Sequence, residues 1–121
     1  MARTILIADD NPIIRKMLCQ MLRREEDYDV CAEAANGQEA IDLAIKQRPE
    51  LIVLDLSMPV LNGLDASRQL KKLLPGIPII LFTQYADLEH SLFRDGVAVD
   101  RIVPKDEAYR LMNLIRELIP V

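Results

Sequence analysis

The chain has little that would support thiolate, redox or membrane chemistry. Its two cysteines, Cys19 and Cys31, form neither a CxxC pair nor a disulfide framework, and both read as small reduced hydrophobes. The single histidine, His90, has no partner ligands for a metal site and reads as a solvent-facing residue of a helix. No apolar run approaches the roughly 18 residues that a membrane span needs. Met1-Ala2-Arg3-Thr4 leads directly into a strand-like segment with no cleavage signal, so the expected location is cytoplasmic. No glycine-rich phosphate loop follows the first strand, which weighs against nucleotide binding. Basic residues form no stripe: the net charge is −4, and Arg68, Lys71 and Lys72 read as a solvated helix face. Direct nucleic-acid binding is therefore not expected, and a cation is the better-suited small partner.

What is present is a regular alternation. With 121 residues and half of them apolar, residues 1–121 are expected to form one domain around one core. Five apolar or alternating segments recur, at Thr4 to Ala8, Val30 to Ala34, Leu51 to Leu56, Ile77 to Thr83 and Val99 to Pro104. Between them, Ile14, Met17, Leu18, Met21 and Leu22 repeat at helical spacing, as do Ile41, Ala44 and Ile45, and later Leu111, Met112, Ile115, Leu118 and Ile119. A fourth helix is expected near Leu88 to Arg94. Pro12 suits a first helical turn, Asn36-Gly37 and Asn62-Gly63 mark loops, and Pro75-Gly76 ends the third helix.

Strict β/α alternation predicts a parallel sheet covered by helices on both faces. Segments one, three and four are almost wholly apolar, as central strands should be, whereas DVCAEA and VDRIVP carry charges and belong at the edges. The order 2-1-3-4-5 satisfies this. It is a doubly wound (βα)5, flavodoxin-like three-layer sandwich, in which ligands sit beyond the carboxyl ends of the strands.

At those ends stand Asp9 and Asp10 after strand one, Asp55 after strand three, Thr83 on strand four and Lys105 after strand five. Either Asp9 or Asp10 alone would read as a helix cap or turn former. Five such residues on one edge point instead to a site. Three carboxylates at short range stay ionised only beside a compensating cation or ammonium group. Oxygen-only ligands favour Mg²⁺ over zinc. A carboxylate beside Mg²⁺ can attack phosphorus, which makes Asp55 the candidate nucleophile, with Lys105 and the Thr83 hydroxyl available to phosphoryl oxygens.

Along essentially its whole length the chain resembles the bacterial response-regulator receiver family. The acidic pair in ADDNPIIRKML, the stretch LIVLDLSMPVLNGLD with Met58-Pro59 and Gly63, Thr83 and Lys105 carry the resemblance. It implies that Asp55 takes phosphate from a histidine of a partner kinase. It also implies that Asp9, Asp10 and the Ser57 backbone carbonyl help place Mg²⁺, and that Thr83 and Lys105 hold the phosphoryl group. The family's usual readout surface, helix four, strand five and helix five, would serve a homodimer or an effector domain.

Three positions depart from the family pattern. Ile102 stands three residues before Lys105 where an aromatic is usual, so a swinging ring is lost from the switch. Gln84 follows Thr83 where the family prefers a small residue; it either crowds the donor's approach or reaches a phosphoryl oxygen. Asp106 replaces the proline often found after the lysine, predicting a trans bond. The Lys-Asp form resembles receivers that precede helix-turn-helix DNA-binding effectors. By the same resemblance, Tyr85 and Ser57 occupy the variable positions that in this family influence attack of water on the phosphoaspartate, and Tyr85 is expected to lengthen the phosphorylated lifetime by partly covering the site. Tyr109 and Leu114 lie off the main apolar stripe of the last helix and read as interface or edge-of-core residues.

The main rival reading is a receiver-like interaction module that works without phosphorylation. A Mg²⁺-dependent phosphatase acting on outside substrates lacks a second acid-base group and a substrate pocket. At most slow self-dephosphorylation is expected, so the chain is not read as a metabolic enzyme. Pro120-Val121 closes the sequence directly after the last helix, consistent with either a stand-alone module or a regulator that continues into an effector.

Overall fold

The computed structural model describes residues 2–84 and 99–121. Five parallel strands, β1 (Arg3–Ala8), β2 (Tyr28–Ala34), β3 (Leu51–Leu54), β4 (Ile79–Thr83) and β5 (Arg101–Pro104), form one sheet in the order β2-β1-β3-β4-β5. This is the doubly wound, flavodoxin-like order expected from the apolar centre and charged edges. The β1–β2 register slips between Ile5, opposite Val30, and Leu6, opposite Ala32, which leaves Cys31 as the extra residue of the edge strand.

Each described α-helix between strands begins at an asparagine. Asn11 caps α1 (Pro12–Arg23), accepting hydrogen bonds from the Ile13 and Ile14 N–H groups, with Pro12 at the first helical position. Asn36 caps α2 (Gly37–Gln47) through the Glu39 N–H, and Asn62 caps α3 (Gly63–Leu73) through the Asp65 N–H. The Asn-Gly pairs are therefore helix starts rather than loops. Their glycines are required by close approach: a Cβ on Gly37 would lie 2.1 Å from the Leu61 carbonyl oxygen. After β5 a 3₁₀-helical stretch (Lys105–Arg110) leads into the C-terminal helix (Leu111–Leu118). The expected fourth helix near Leu88 to Arg94, together with Tyr85 and His90, lies outside the described residues.

Alternation along the strands sends side chains to two cores. Leu6, Ile52, Leu54, Leu81 and Ile102 pack with Ala40, Ile41 and Ala44 of α2 and Ala66 and Leu70 of α3. Ile5, Ile7, Val53, Ile80 and Phe82 face the other way, onto Leu18, Cys19 and Leu22 of α1 and Leu111, Met112 and Ile115 of the C-terminal helix. Burying each of the Leu, Ile, Val, Met and Phe side chains among them contributes about 1.5–3 kcal/mol before chain entropy is charged against it. Leu114 packs at the border of the second core, whereas Tyr109 is 75% exposed and belongs to the 3₁₀ stretch. Lys71 is not part of a solvated basic face: its ammonium lies 2.8 Å from Asp100, whose carboxylate also accepts the Ile79 N–H. That clamp ties α3 to the start of β4, at the end of the sheet opposite the acidic residues.

Candidate functional site

Register brings the strand ends together. Ala8 pairs with Leu54, Leu54 with Leu81, and Thr83 with Pro104, so the residues that follow emerge along one edge. Asp9, Asp55 and Thr83 are buried there, Asp10 is exposed and Lys105 is half-buried. The Asp9 N–H donates to the Ala34 carbonyl and the Asp55 N–H to the Ala8 carbonyl, extending the ladder one residue past each strand. Gly63 keeps the loop after β3 tight. Its N–H donates to the Leu56 carbonyl, and a Cβ at this position would lie 2.0 Å from the Asp55 carbonyl oxygen. Within the loop, Val60 takes a positive φ of 68°. That conformation is strained for a β-branched residue and is closed by a hydrogen bond from the Leu61 N–H to the Pro59 carbonyl.

The Lys105 ammonium stands between two carboxylates, 2.9 Å from Asp9 Oδ2 and 3.3 Å from Asp55 Oδ1. Asp9 Oδ2 is buried and is held by the Lys105 ion pair. Its other oxygen accepts the Asn11 N–H at 2.9 Å. Burial, followed by repulsion from Asp9, pushes the Asp55 carboxyl from 3.8 up to about 6, against the opposing pull of Lys105 and the Ser57 N–H. For Lys105, burial pulls the ammonium down, but Asp9 and Asp55 together outweigh it and raise the group above its ordinary value.

A polar cavity of about 160 Å³, lined by Asp10, Asn11, Asp55, Ser57, Gln84 and Lys105, opens above Asp55. At roughly 30 Å³ per water, it has room for a few waters or one small tetrahedral anion. Five of the residues singled out in the sequence thus line one cavity, with Asp9 and Thr83 buried beneath the same edge. Ile102 is not at the cavity; it is a core residue, 3% exposed, opposite Leu81. The peptide bond after Lys105 is trans. Tyr85 is outside the described residues.

Two residues were missed in the sequence. Asn11 both caps α1 and lines the cavity, and the signal was available in Asn11-Pro12, a cap followed by a first-turn proline. Arg15 donates to the Asp9 carbonyl at 2.6 Å, a contact that no spacing rule announces.

Asp9, Asp10 and Asp55 each offer one carboxylate oxygen, and these lie within 4.8 Å of one another. The all-oxygen donor set fits a hard divalent cation and not one that prefers nitrogen or sulfur. The edge therefore combines a buried carboxylate of raised pKa with a neighbouring ammonium and a place for a cation.

A family model described as the response regulator receiver domain matches residues 5–116. The transcriptional regulatory protein PdtaR of Mycobacterium tuberculosis is 38% identical over 103 residues, which are 84% of this chain and 49% of that protein. The transcriptional regulatory protein LnrK of Bacillus subtilis is 36% identical over 69% of this chain and 38% of its own length. The chain spans about half or less of these curated relatives. Among solved structures, the response regulator TrrA of Thermotoga maritima, in complex with Mg²⁺ and BeF, superposes with a TM-score of 0.86 at 30% identity, covering 97% of this chain and 99% of that one.

Proposed function

Because this chain belongs to the response regulator receiver family of two-component systems, we propose that Asp55 accepts a phosphoryl group from a histidine of a partner kinase. The observation that carries this reading is a buried carboxylate, 3.3 Å from a lysine ammonium, at the floor of a small polar cavity. With its pKa raised to about 6, Asp55 is mostly ionised at neutral pH and more basic than an ordinary aspartate. An Asp55 oxygen attacks phosphorus; the O–P bond forms as the P–N bond of phosphohistidine breaks, and the electron pair leaves on the imidazole nitrogen. Lys105 places its charge where a phosphoryl oxygen will sit, and the Thr83 hydroxyl donates to another. Asp9, Asp10, Asp55 and the Ser57 carbonyl would hold Mg²⁺, which when bound offsets the charge of the incoming group.

The altered positions tune this chemistry. The Gln84 side chain is exposed and stands at the cavity wall, a position from which it would narrow the donor's path. Gln84→Ala is expected to accelerate phosphorylation by a small phosphodonor several-fold, measured by quench and mass analysis; equal rates would remove the idea. Ile102 has no ring to exchange positions, so a Thr83 movement would be passed on through the contacts of a buried aliphatic side chain instead of a ring swing. Tyr85 is proposed to slow hydrolysis by covering the phosphoryl group. The output is proposed to run through the expected fourth helix, β5 and the C-terminal helix to a homodimer or a DNA-binding effector. Residues 1–121 act in this reading as one signalling unit in the cytoplasm, acting on no outside substrate and binding no nucleic acid directly. Among the described residues no helix is long and apolar enough to cross a membrane.

The test is intact mass after incubation with Mg²⁺ and a small phosphodonor, for wild type and Asp55→Ala. One labile phosphate on the wild type alone is expected. If the wild type stays unmodified and binds no beryllofluoride, an interaction module working without phosphorylation becomes the better reading, as the buried aliphatic Ile102 would favour.

A further inference from the structure

We propose that Arg15 and Glu33 form a positioning pair for the cation site, presetting the backbone from which Asp10 reaches the metal. This rests on the reading of Asp9, Asp10 and Asp55 as cation ligands. Asp10 is exposed, so its carboxylate is placed by its backbone rather than by packing. The peptide joining Asp9 to Asp10 is planar and trans, so fixing its carbonyl also fixes the opposite direction of the Asp10 N–H and the position of the Asp10 Cα from which its side chain starts.

Arg15 holds that carbonyl. One guanidinium nitrogen, Nη1, donates to the Asp9 carbonyl at 2.6 Å, while Nε lies 3.6 Å from Glu33 Oε1 on β2. Glu33 directly precedes Ala34, whose carbonyl accepts the Asp9 N–H. The end of the edge strand thus grips Asp9 from both sides of its backbone, directly through Ala34 and through the Glu33–Arg15 bridge. The planar fork of arginine makes both contacts at once; a lysine ammonium on a flexible stem would make one or the other. Glu33 also balances the charge. A bare guanidinium this close to the acidic cluster would repel the cation, and the carboxylate at its other side removes most of that penalty.

The two possible roles of Arg15 predict opposite signs. If it only adds positive charge, its removal tightens Mg²⁺ binding. If it positions Asp10, its removal weakens binding, as loss of groups supporting metal ligands commonly does.

The experiment is calorimetric titration of wild type, Arg15→Met, Arg15→Lys and Glu33→Gln with Mg²⁺ and no phosphodonor, alongside melting curves without metal. Arg15→Met is expected to bind Mg²⁺ roughly tenfold more weakly. Arg15→Lys should lose most of the same affinity despite keeping the charge, and Glu33→Gln should weaken binding less than Arg15→Met. Affinity in Arg15→Met equal to or tighter than wild type overturns the proposal, as does full retention in Arg15→Lys; a lowered melting point with unchanged affinity would mark a purely structural contact. Should Arg15→Met fail to fold, Arg15→Lys decides. No Mg²⁺ binding by the wild type itself would remove the cation-site reading and this inference with it.

Discussion

In a chelator-containing buffer at pH 7.5, Asp55→Asn is expected to melt on the order of 10 °C above the wild type, and the difference should close as the pH falls to 4. Asp55 is 4% exposed and beside Asp9, and these surroundings raise its carboxyl from 3.8 to about 6. The folded state therefore binds this proton more tightly than the unfolded chain does. The stabilisation that goes with the protonated form is fully present below about 3.8 and is lost as the pH rises through about 6. Above that, keeping Asp55 ionised in the fold costs about 3 kcal/mol relative to its neutral form. Asparagine keeps the shape and removes the charge, so the variant escapes the penalty at neutral pH and resembles the protonated wild type in acid. Lys105 only partly offsets the effect, because its ammonium is shared with Asp9. Identical melting points at pH 7.5, or a gap that persists at pH 4, would sink this account. The same penalty favours uptake of a cation at this edge.

Gly63→Ala is expected to destabilise the fold by about 3 kcal/mol or more, whereas Gly76→Ala should melt within about 0.5 kcal/mol of the wild type. The added methyl carbon at position 63 would meet the Asp55 carbonyl oxygen at 2.0 Å and the Leu56 Cα at 2.9 Å. Both are backbone atoms and neither can rotate away. The Asp55 N–H is bonded to the Ala8 carbonyl and the Gly63 N–H to the Leu56 carbonyl, so relief requires pulling Asp55 off the end of the sheet. At Gly76 nothing lies within 4 Å of the new carbon. Chemical denaturation of the two variants checks the contrast, and a Gly63→Ala protein as stable as Gly76→Ala would show that the loop yields where the contacts say it cannot.

The strand order was legible because charge and apolarity are local properties of each segment. LIVL and IILFT cannot face water on either side, while β2 and β5 carry Asp29, Glu33 and Arg101. The strand-end residues were legible for the same reason: once five strands run parallel, whatever follows each one is delivered to a single edge. Strand limits were less so, since Leu56, Ile77 and Val99 continue the apolar pattern past the last ladder bond.

By itself, the sequence determined the sheet, its order and the identity of the acidic edge, because these follow from periodicity and from residues one step from a strand. Only the tertiary structure decided that Ile102 belongs to the core and not to the cavity, that Lys71 is clamped by Asp100, and that Gln84 stands at the cavity wall. It alone placed Arg15 on the Asp9 carbonyl and pushed the Asp55 carboxyl up to about 6. Such properties depend on distances and desolvation between groups far apart in the chain, which no local pattern encodes.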